Sequence, residues 1–437
     1  MKIKSIKQAK DLKNKTFLVR CDFDVPLEQK NKKTKKQKNT EIVIADDVRL
    51  KACLPIIEFL LKKKAKIILM GHLGRPKGSV VPDLSLEPVR DHLEKILNKN
   101  INFIKNFTLT AARHEMEEMR GGEIACLENL RFWISENKND KKFANSLANL
   151  ADIYVNEAFA TSHRNVASID VIQDFLPSFA GLNLEKEIEN LSKVTEKPSR
   201  PLVVIIGGAK IETKLPVIDR FLAKADYLLI GGAIANNFFK VLGYEVGKSI
   251  VDEDYLDEAG RLLQKSEGGF LGNKFQIPNN KFQINSKFQI PNSKFELKDI
   301  KKLKHKIILP IDVKIKGARS IETKKLEQVK KTDKILDIGS KTLNFYGRMI
   351  KGARTIVWNG PMGYFEEKEF SCGTFGVADH ILKSRAKSLI GGGETAEALS
   401  QLVKNKKLPN RIFVSTGGGA MLEFLAGKKL PGLKKIL

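Results

Sequence analysis

Short unbroken runs of Val, Ile and Leu alternate along the chain with longer amphipathic segments. The runs Thr16–Cys21, Lys66–Met70, Glu123–Leu127, Ile153–Val155, Leu202–Ile206, Tyr227–Ile230, Lys306–Leu309, Thr355–Trp358, Lys387–Ile390 and Arg411–Val414 mostly lack polar alternation. That pattern predicts strands buried on both faces of a parallel sheet. Between them, Asp47–Lys63, Leu86–Leu97 and Leu215–Lys224 carry helical periodicity. Repeated strand–helix units imply α/β architecture with right-handed crossovers. Ten strands in 437 residues exceed one comfortable core, so the expectation is two doubly wound parallel-sheet (Rossmann-like) domains. The polar stretch Asn183–Lys197, closed by Pro198 and Pro201, reads as a connecting hinge helix between domains at 1–182 and 198–420.

Charge adds a preference for anionic partners. Lys and Arg total 77 against 51 Asp and Glu, a formal net charge of +26. That balance suits nucleic acid, acidic lipid or phosphorylated metabolites and does not choose among them. Four scattered cysteines without a CxxC pair point to a reduced, cytoplasmic setting. The N-terminus lacks the apolar stretch of a signal peptide, and no window is apolar for the roughly 18 residues a bilayer requires. Two segments read as insertions. Lys30–Lys38 has six lysines in nine positions and no apolar residue, the mark of a solvated loop; a nucleic-acid contact there would lack Arg and aromatic support. In 273–295, KFQI recurs at Lys274, Lys281 and Lys287 in a slipping register, too short a unit to support itself.

In open parallel sheets ligands bind beyond the carboxyl ends of the strands. In the first half those ends are followed by charge: Arg20, Asp22 and Asp24; His72, Leu73, Gly74 and Arg75; Glu128, Asn129 and Arg131; Glu157, His163 and Arg164, with Arg49 opening a helix nearby. Guanidinium forks suit carboxylate and phosphate because they bond two oxygens at once, so this half is expected to hold a small, multiply anionic molecule. In the second half the ends are followed by glycine: Gly207, Gly208, Ala209 and Lys210, then Lys214; Gly231 and Gly232; Asn359, Gly360, Pro361 and Met362; Gly391, Gly392, Gly393 and Glu394; Gly417–Gly419. Missing side chains let backbone N–H groups approach phosphate, so this half is expected to hold a nucleotide, with Glu366 or Glu394 near a Mg²⁺ ion. Gly243–Ser249 (GYEVGKS) resembles a Walker A loop, but only three residues separate its glycines and it follows no strand. No residue set points to covalent catalysis or zinc, and Cys21 reads as core.

The ordered motifs RCDFDVPL, GHLGRP, LENLRF, NEAFATSHR, GGAKIETK, GGAIANNF, LPIDV, WNGPMGYFE, GGGET and STGGGAMLEFLAGKKLPG resemble the phosphoglycerate kinase family nearly end to end. The resemblance implies a two-domain, hinge-bending glycolytic enzyme, monomeric and cytoplasmic. It would transfer a phosphoryl group between 1,3-bisphosphoglycerate and Mg-ADP, giving 3-phosphoglycerate and ATP. It implies 3-phosphoglycerate on Asp22, Phe23, Asp24, Arg49, His72, Leu73, Gly74, Arg75, Arg131, His163 and Arg164. Nucleotide would lie on Gly207, Gly208, Lys214, Gly231, Asn359, Pro361, Glu366, Gly391, Gly392, Gly393 and Glu394, with Mg²⁺ at Glu394. Arg49, Lys210 and Lys214 would carry catalysis by charge cancellation, and 421–437 would pack back on the first domain. Two positions depart from the family pattern: Asp24 stands where Asn is typical, and Glu394 where Asp is typical. These departures leave room for a catalytically silent, nucleotide-binding relative.

Overall fold

The computed structural model describes residues 3–34, 37–108, 110–266, 306–403 and 407–437, with the side chains of 30–41 and 110–112 left aside. The repeat at 273–295 lies outside the described residues. The chain forms two compact units, Met1–Glu189 with Lys429–Leu437, and Asn190–Lys428.

The first unit is built on a six-stranded parallel sheet. Its order is Ile101–Ile104, Ile124–Leu127, Lys66–Met70, Thr16–Arg20, Ile153–Asn156, Ser178–Ala180. The apolar runs make strands here because both faces are covered. Phe17, Val19, Ile67, Leu69 and Val155 enter one core, whereas Leu18, Ile68, Met70 and Tyr154 enter the core on the opposite face. Successive side chains of a strand point to opposite faces, and each fully buried Val or Leu contributes roughly 1.5–3 kcal/mol. The helix Val48–Lys62 supplies Leu50, Cys53, Ile56, Ile57 and Leu60 to the first of these cores. The chain leaves Thr16–Arg20 toward Lys66–Met70 and later returns to its other flank at Ile153–Asn156. The order therefore reverses at the first strand, which puts a crevice at its carboxyl end.

The second unit repeats the plan in the order Ile307–Ile308, Tyr227–Ile230, Leu202–Ile206, Thr355–Asn359, Lys387–Gly391, Ile412–Ser415, all parallel. The order reverses at Leu202–Ile206. A smaller antiparallel sheet, Ile321–Lys325, Asp312–Lys316, Lys334–Ile338, accompanies it. The ten sequence-read strands lie within a residue or so of observed ones, and the polar stretch at 183–197 is a helix, Leu182–Glu196.

Two expectations change. The lysine-rich stretch is not a plain loop: its described backbone lies in an antiparallel pair, Leu27–Thr34 with Gln37–Ile44, joined at residues outside the description. The division between units falls after Glu189, inside the helix read as the hinge. Residues 421–428 belong with the second unit, so the segment grouped with the first is Lys429–Leu437, not 421–437. This tail bonds through Gly432 N to Ser162 O (2.8 Å), Asn156 Nδ2 to Gly432 O (3.0 Å) and Lys4 N to Ile436 O (2.8 Å). Among the described residues no helix is long and apolar enough to cross a membrane.

Candidate active site

At the crevice of the first unit the strand ends deliver their side chains to one edge. Arg20, the last residue of its strand, turns inward and is almost fully buried. Its Nη2 lies 2.9 Å from His72 Nδ1, its Nε donates to Ser168 Oγ at 2.9 Å, and Nη1 donates to Cys21 O. A guanidinium offers no acceptor, so His72 Nδ1 must be the bare nitrogen and Nε2 carries the proton. Burial, then the charges of Arg20, Arg131, Arg164 and Arg49, hold the His72 imidazole well below its usual value. Four guanidinium groups bearing on one neutral ring describe a strongly positive pocket.

The acidic residues partly offset that charge. Arg49 Nη1 donates to Asp24 O at 3.0 Å and to Asp22 Oδ1 at 3.4 Å, with Asp22 Oδ2 3.3 Å away. Burial raises the Asp22 carboxyl, against the pull of Arg49 and Arg20. Asp24 Oδ1 accepts from Gly74 N at 2.9 Å, and its Oδ2 stands 3.8 Å from His72 Nε2. Arg131 Nη1 donates to Gly74 O at 2.7 Å, and burial lowers its guanidinium. Gly74 has φ +62°, and a Cβ there would meet Leu84 at 2.7 Å, so this turn requires glycine. Arg75 and Arg164 are exposed and His163 is half-buried, at the same strand ends; Phe23 and Leu73 are buried beneath them.

Several strand-end residues serve the loops instead. Asn129 ties Leu73 O (2.7 Å) to Leu84 O (2.8 Å). Glu128 accepts from Ser85 Oγ, Leu86 N and Asn129 N. Glu157 caps the connecting helix through Asn183 N and Leu184 N, and burial pushes its carboxyl up to about 8. Cys21 is fully buried, with its thiol raised well above the usual value by burial, so it is core as read.

In the second unit the glycine loops interlock. Gly207 N donates to Asn359 O (2.9 Å), Gly208 N to Pro361 O (2.8 Å), Gly231 N to Ile206 O (2.9 Å) and Gly232 N to Met362 O (2.9 Å). These four amides are engaged with backbone carbonyls, so their part here is to let the loops meet rather than to offer N–H groups. They are small because backbones meet here: a Cβ on Gly207 would sit 2.1 Å from Pro361 O, and one on Gly360 (φ +88°) 2.2 Å from Gly207 O. Gly391 is equally crowded, by Met421 Sδ at 1.9 Å, whereas Gly393 has nothing within 4 Å. Gly392 has φ +101°, and Gly393 opens the helix Gly393–Val403, whose first amides have no partner within the helix.

The cations of this unit differ in setting. Lys214 is almost fully buried, with Nζ donating to Asn359 Oδ1, and burial lowers its ammonium to about 8 against the pull of Glu394. Asn359 in turn donates to Gly391 O at 2.9 Å, linking two strand ends. Lys210 is exposed. A cavity of about 500 Å³ opens beside the loops, lined by Gly208, Pro361, Gly363, Glu366 and Glu394 and by the apolar Phe239, Ile250, Val313, Leu336 and Met362. Its size and lining suit a nucleotide base and sugar. A larger cavity of about 670 Å³ lies along helices Ser340–Gly352 and Cys372–Lys383, away from the glycine loops. The Walker-like Gly243–Ser249 follows a helix, Ile234–Val241, and takes no part.

Three residues in these sites escape a sequence reading. Asp337, on the antiparallel sheet, lines the cavity; it accepts from Gly373 N and Ile338 N, and burial pushes its carboxyl to about 7. Glu136 and Ser168 sit behind Arg20, 2.6 Å apart between Oε1 and Oγ. Among the described residues no three His, Cys, Asp or Glu side chains group as a metal site.

Comparison with known proteins agrees in one direction. The family model described as phosphoglycerate kinase matches residues 6–428. The phosphoglycerate kinase of Pseudothermotoga lettingae is 40% identical over 98% of this chain and 96% of its own length, and that of Dictyoglomus turgidum is 40% identical over 97% and 96%. The solved phosphoglycerate kinase of Coxiella burnetii superposes with a TM-score of 0.78 at 33% identity, covering 100% of this chain and 99% of its own. The Pyrococcus horikoshii structure gives 0.75 at 30%, over 99% and 98%.

Proposed function

The chain belongs to the phosphoglycerate kinase family, and from that premise we propose that the arginine-rich edge of its first unit holds the phosphoglycerate while the glycine loops and 500 Å³ cavity of its second hold the nucleotide. The enzyme moves a phosphoryl group reversibly between 1,3-bisphosphoglycerate and ADP, yielding 3-phosphoglycerate and ATP. The observation that carries the first assignment is the neutral, buried His72 with four arginines bearing on it. Such a ring donates from Nε2 while the guanidinium groups of Arg49, Arg75, Arg131 and Arg164 complement carboxylate and phosphate.

In the ATP-forming direction a terminal oxygen of ADP attacks the phosphorus of the acyl phosphate. The P–O bond to the carboxyl oxygen breaks, and the carboxylate leaves with the electron pair. No proton is transferred and no enzyme nucleophile is needed, so catalysis is positioning plus cancellation of charge on the phosphoryl oxygens. We assign that cancellation to Arg49, Lys210 and Lys214, and to the open amides at Gly393 and Glu394. Mg²⁺ would supply further neutralisation of the nucleotide phosphates. The donors present fit it: Glu366 and Glu394 line the cavity, and Mg²⁺ commonly binds one or two carboxylates with phosphate and water completing the shell. Asp22 and Phe23, with Asp24, Leu73 and Gly74, shape the anion edge; Gly207, Gly208, Gly231, Asn359 and Pro361 build the nucleotide floor, and Gly391 and Gly392 lead into the helix. The proposal extends to a cytoplasmic monomer whose units close on each other during turnover.

The test is ADP formation from ATP, Mg²⁺ and 3-phosphoglycerate with the acyl phosphate trapped. Turnover requiring all three is expected. Arg49→Ala should lower turnover far more than ATP binding; equal loss of both would remove its assigned role.

A further inference from the structure

We propose that Glu136 is a positioning residue for His72, acting through Ser168 and Arg20, and that this buried relay presets the imidazole as an Nε2 donor toward the anion. The inference rests on the assignment of phosphoglycerate to this edge. Its four members are distant in sequence, and each is at most 2% exposed.

The direction of every bond in the relay follows from which atoms can donate. Arg20 Nη2 donates to His72 Nδ1 at 2.9 Å, because a guanidinium cannot accept. Arg20 Nε donates to Ser168 Oγ at 2.9 Å, so the hydroxyl proton must point elsewhere. Glu136 Oε1 receives it at 2.6 Å, within the range of a charge-assisted O–H···O⁻ bond. Glu136 Oε2 accepts from Ser168 N at 2.9 Å, which fixes the serine's backbone as well. Tyr154 Oη donates to Ser168 O at 2.9 Å from the other side. The carboxylate thus decides the orientation of the hydroxyl, the hydroxyl holds the guanidinium fork, and the fork decides the tautomer.

Charge gives the relay a second function. Arg20 is buried, and a buried guanidinium needs a compensating carboxylate; Glu136 is the acid behind it, its carboxyl raised by burial and held down by Arg20 and the two Ser168 bonds. The groups that face His72 are Arg20, Arg131, Arg164 and Arg49, with Asp24 Oδ2 at 3.8 Å from Nε2. A bare Nε2 would turn a lone pair toward an incoming anion, whereas the preset tautomer meets it with an N–H and no reorganisation.

The test is long-range ¹H–¹⁵N correlation on the full chain labelled at histidine, with the His72 signals assigned by their loss in His72→Gln. The unaltered, ligand-free protein should show His72 in the single Nε2–H tautomer from pH 6 to 8. In Glu136→Gln and Ser168→Ala the tautomers should mix. KM for 3-phosphoglycerate should rise roughly 5–10-fold, the worth of one hydrogen bond, with KM for ATP unchanged. Ser168→Thr, which keeps the hydroxyl, should restore both. A proton on Nδ1 in the unaltered protein overturns the relay whatever the variants do, and so does an unchanged tautomer in both folded variants. His72 signals that do not move on adding 3-phosphoglycerate overturn the ligand assignment instead, separately from the relay.

Discussion

Gly360→Ala places a methyl group where two backbones already touch. The added Cβ would lie 2.2 Å from Gly207 O and 3.1 Å from Gly208 N, at a φ of +88°. Ordinary contact begins near 3.4 Å, so the 207–208 loop must retreat by about 1.2 Å, or the strand end must twist. Relaxation elsewhere is restricted, because Gly207 N is bonded to Asn359 O and Gly208 N to Pro361 O. Overpacking of this kind costs about 1–3 kcal/mol, and an alanine at left-handed φ about 1 kcal/mol more. At roughly 2–4 °C per kcal/mol for a unit of this size, the second unit should melt roughly 5–15 °C lower. Calorimetry reads this, and the transition of the second unit is recognised by its rise when ADP is added. A shift near 1 Å in a binding loop can lower activity on the order of 100-fold, so ADP titration should show a weakened site while 3-phosphoglycerate binding persists. Gly393→Ala is the contrast: with nothing within 4 Å, it should leave melting within about 2 °C and act on ADP affinity alone. A Gly360→Ala protein with unchanged melting and unchanged ADP affinity would refute the interlocked-loop account.

Lys214, lowered to about 8 by burial, loses its charge as pH rises through that value, so ADP affinity should fall between pH 7 and 9. Titration at the two pH values checks this, and a flat profile counts against the assignment of Lys214 to phosphate. Asp24→Asn keeps an acceptor for Gly74 N and removes a negative charge beside the anion, so 3-phosphoglycerate should bind roughly 3–10-fold tighter; unchanged affinity would show that the arginines already neutralise it. Glu157, pushed up to about 8 by burial, contributes stability that is complete below its ordinary value near 4.5 and is lost as pH rises through 8. Glu157→Gln should flatten the fall in denaturant midpoint between pH 5 and 9, and an identical slope in both proteins would exclude this carboxyl as its source.

Much of the architecture was legible along the chain because its cause is local. A run such as Leu202–Ile206 has no polar face to show solvent, so it can only be an inner strand with cover on both sides. The missed strands had weaker signals. Among them, Ser178–Ala180 is only three residues long, and Ile321–Lys325 is mostly exposed and polar, so it carries no burial pattern to read. The chemistry divided the same way. Arginine and histidine follow one set of strands and glycine the other, a division visible before any geometry was known.

What the chain order could not state is which groups remain available once it has folded. A glycine on paper is an open amide, yet Gly207, Gly208, Gly231 and Gly232 are engaged by carbonyls, whereas a Cβ on Gly393 or Gly418 would meet nothing within 4 Å. Arg20 reads as one more cation at the edge, but it is buried beneath His72 and joined to Ser168, 148 residues away. Residue type and period are local properties, so the sequence by itself determined two α/β sheets, one edged by arginine and histidine and the other by glycine. Hydrogen-bond partners and burial depend on atoms brought together across more than a hundred residues, so tertiary structure alone decided which amides are free, which lysine is depressed and which nitrogen of His72 carries the proton.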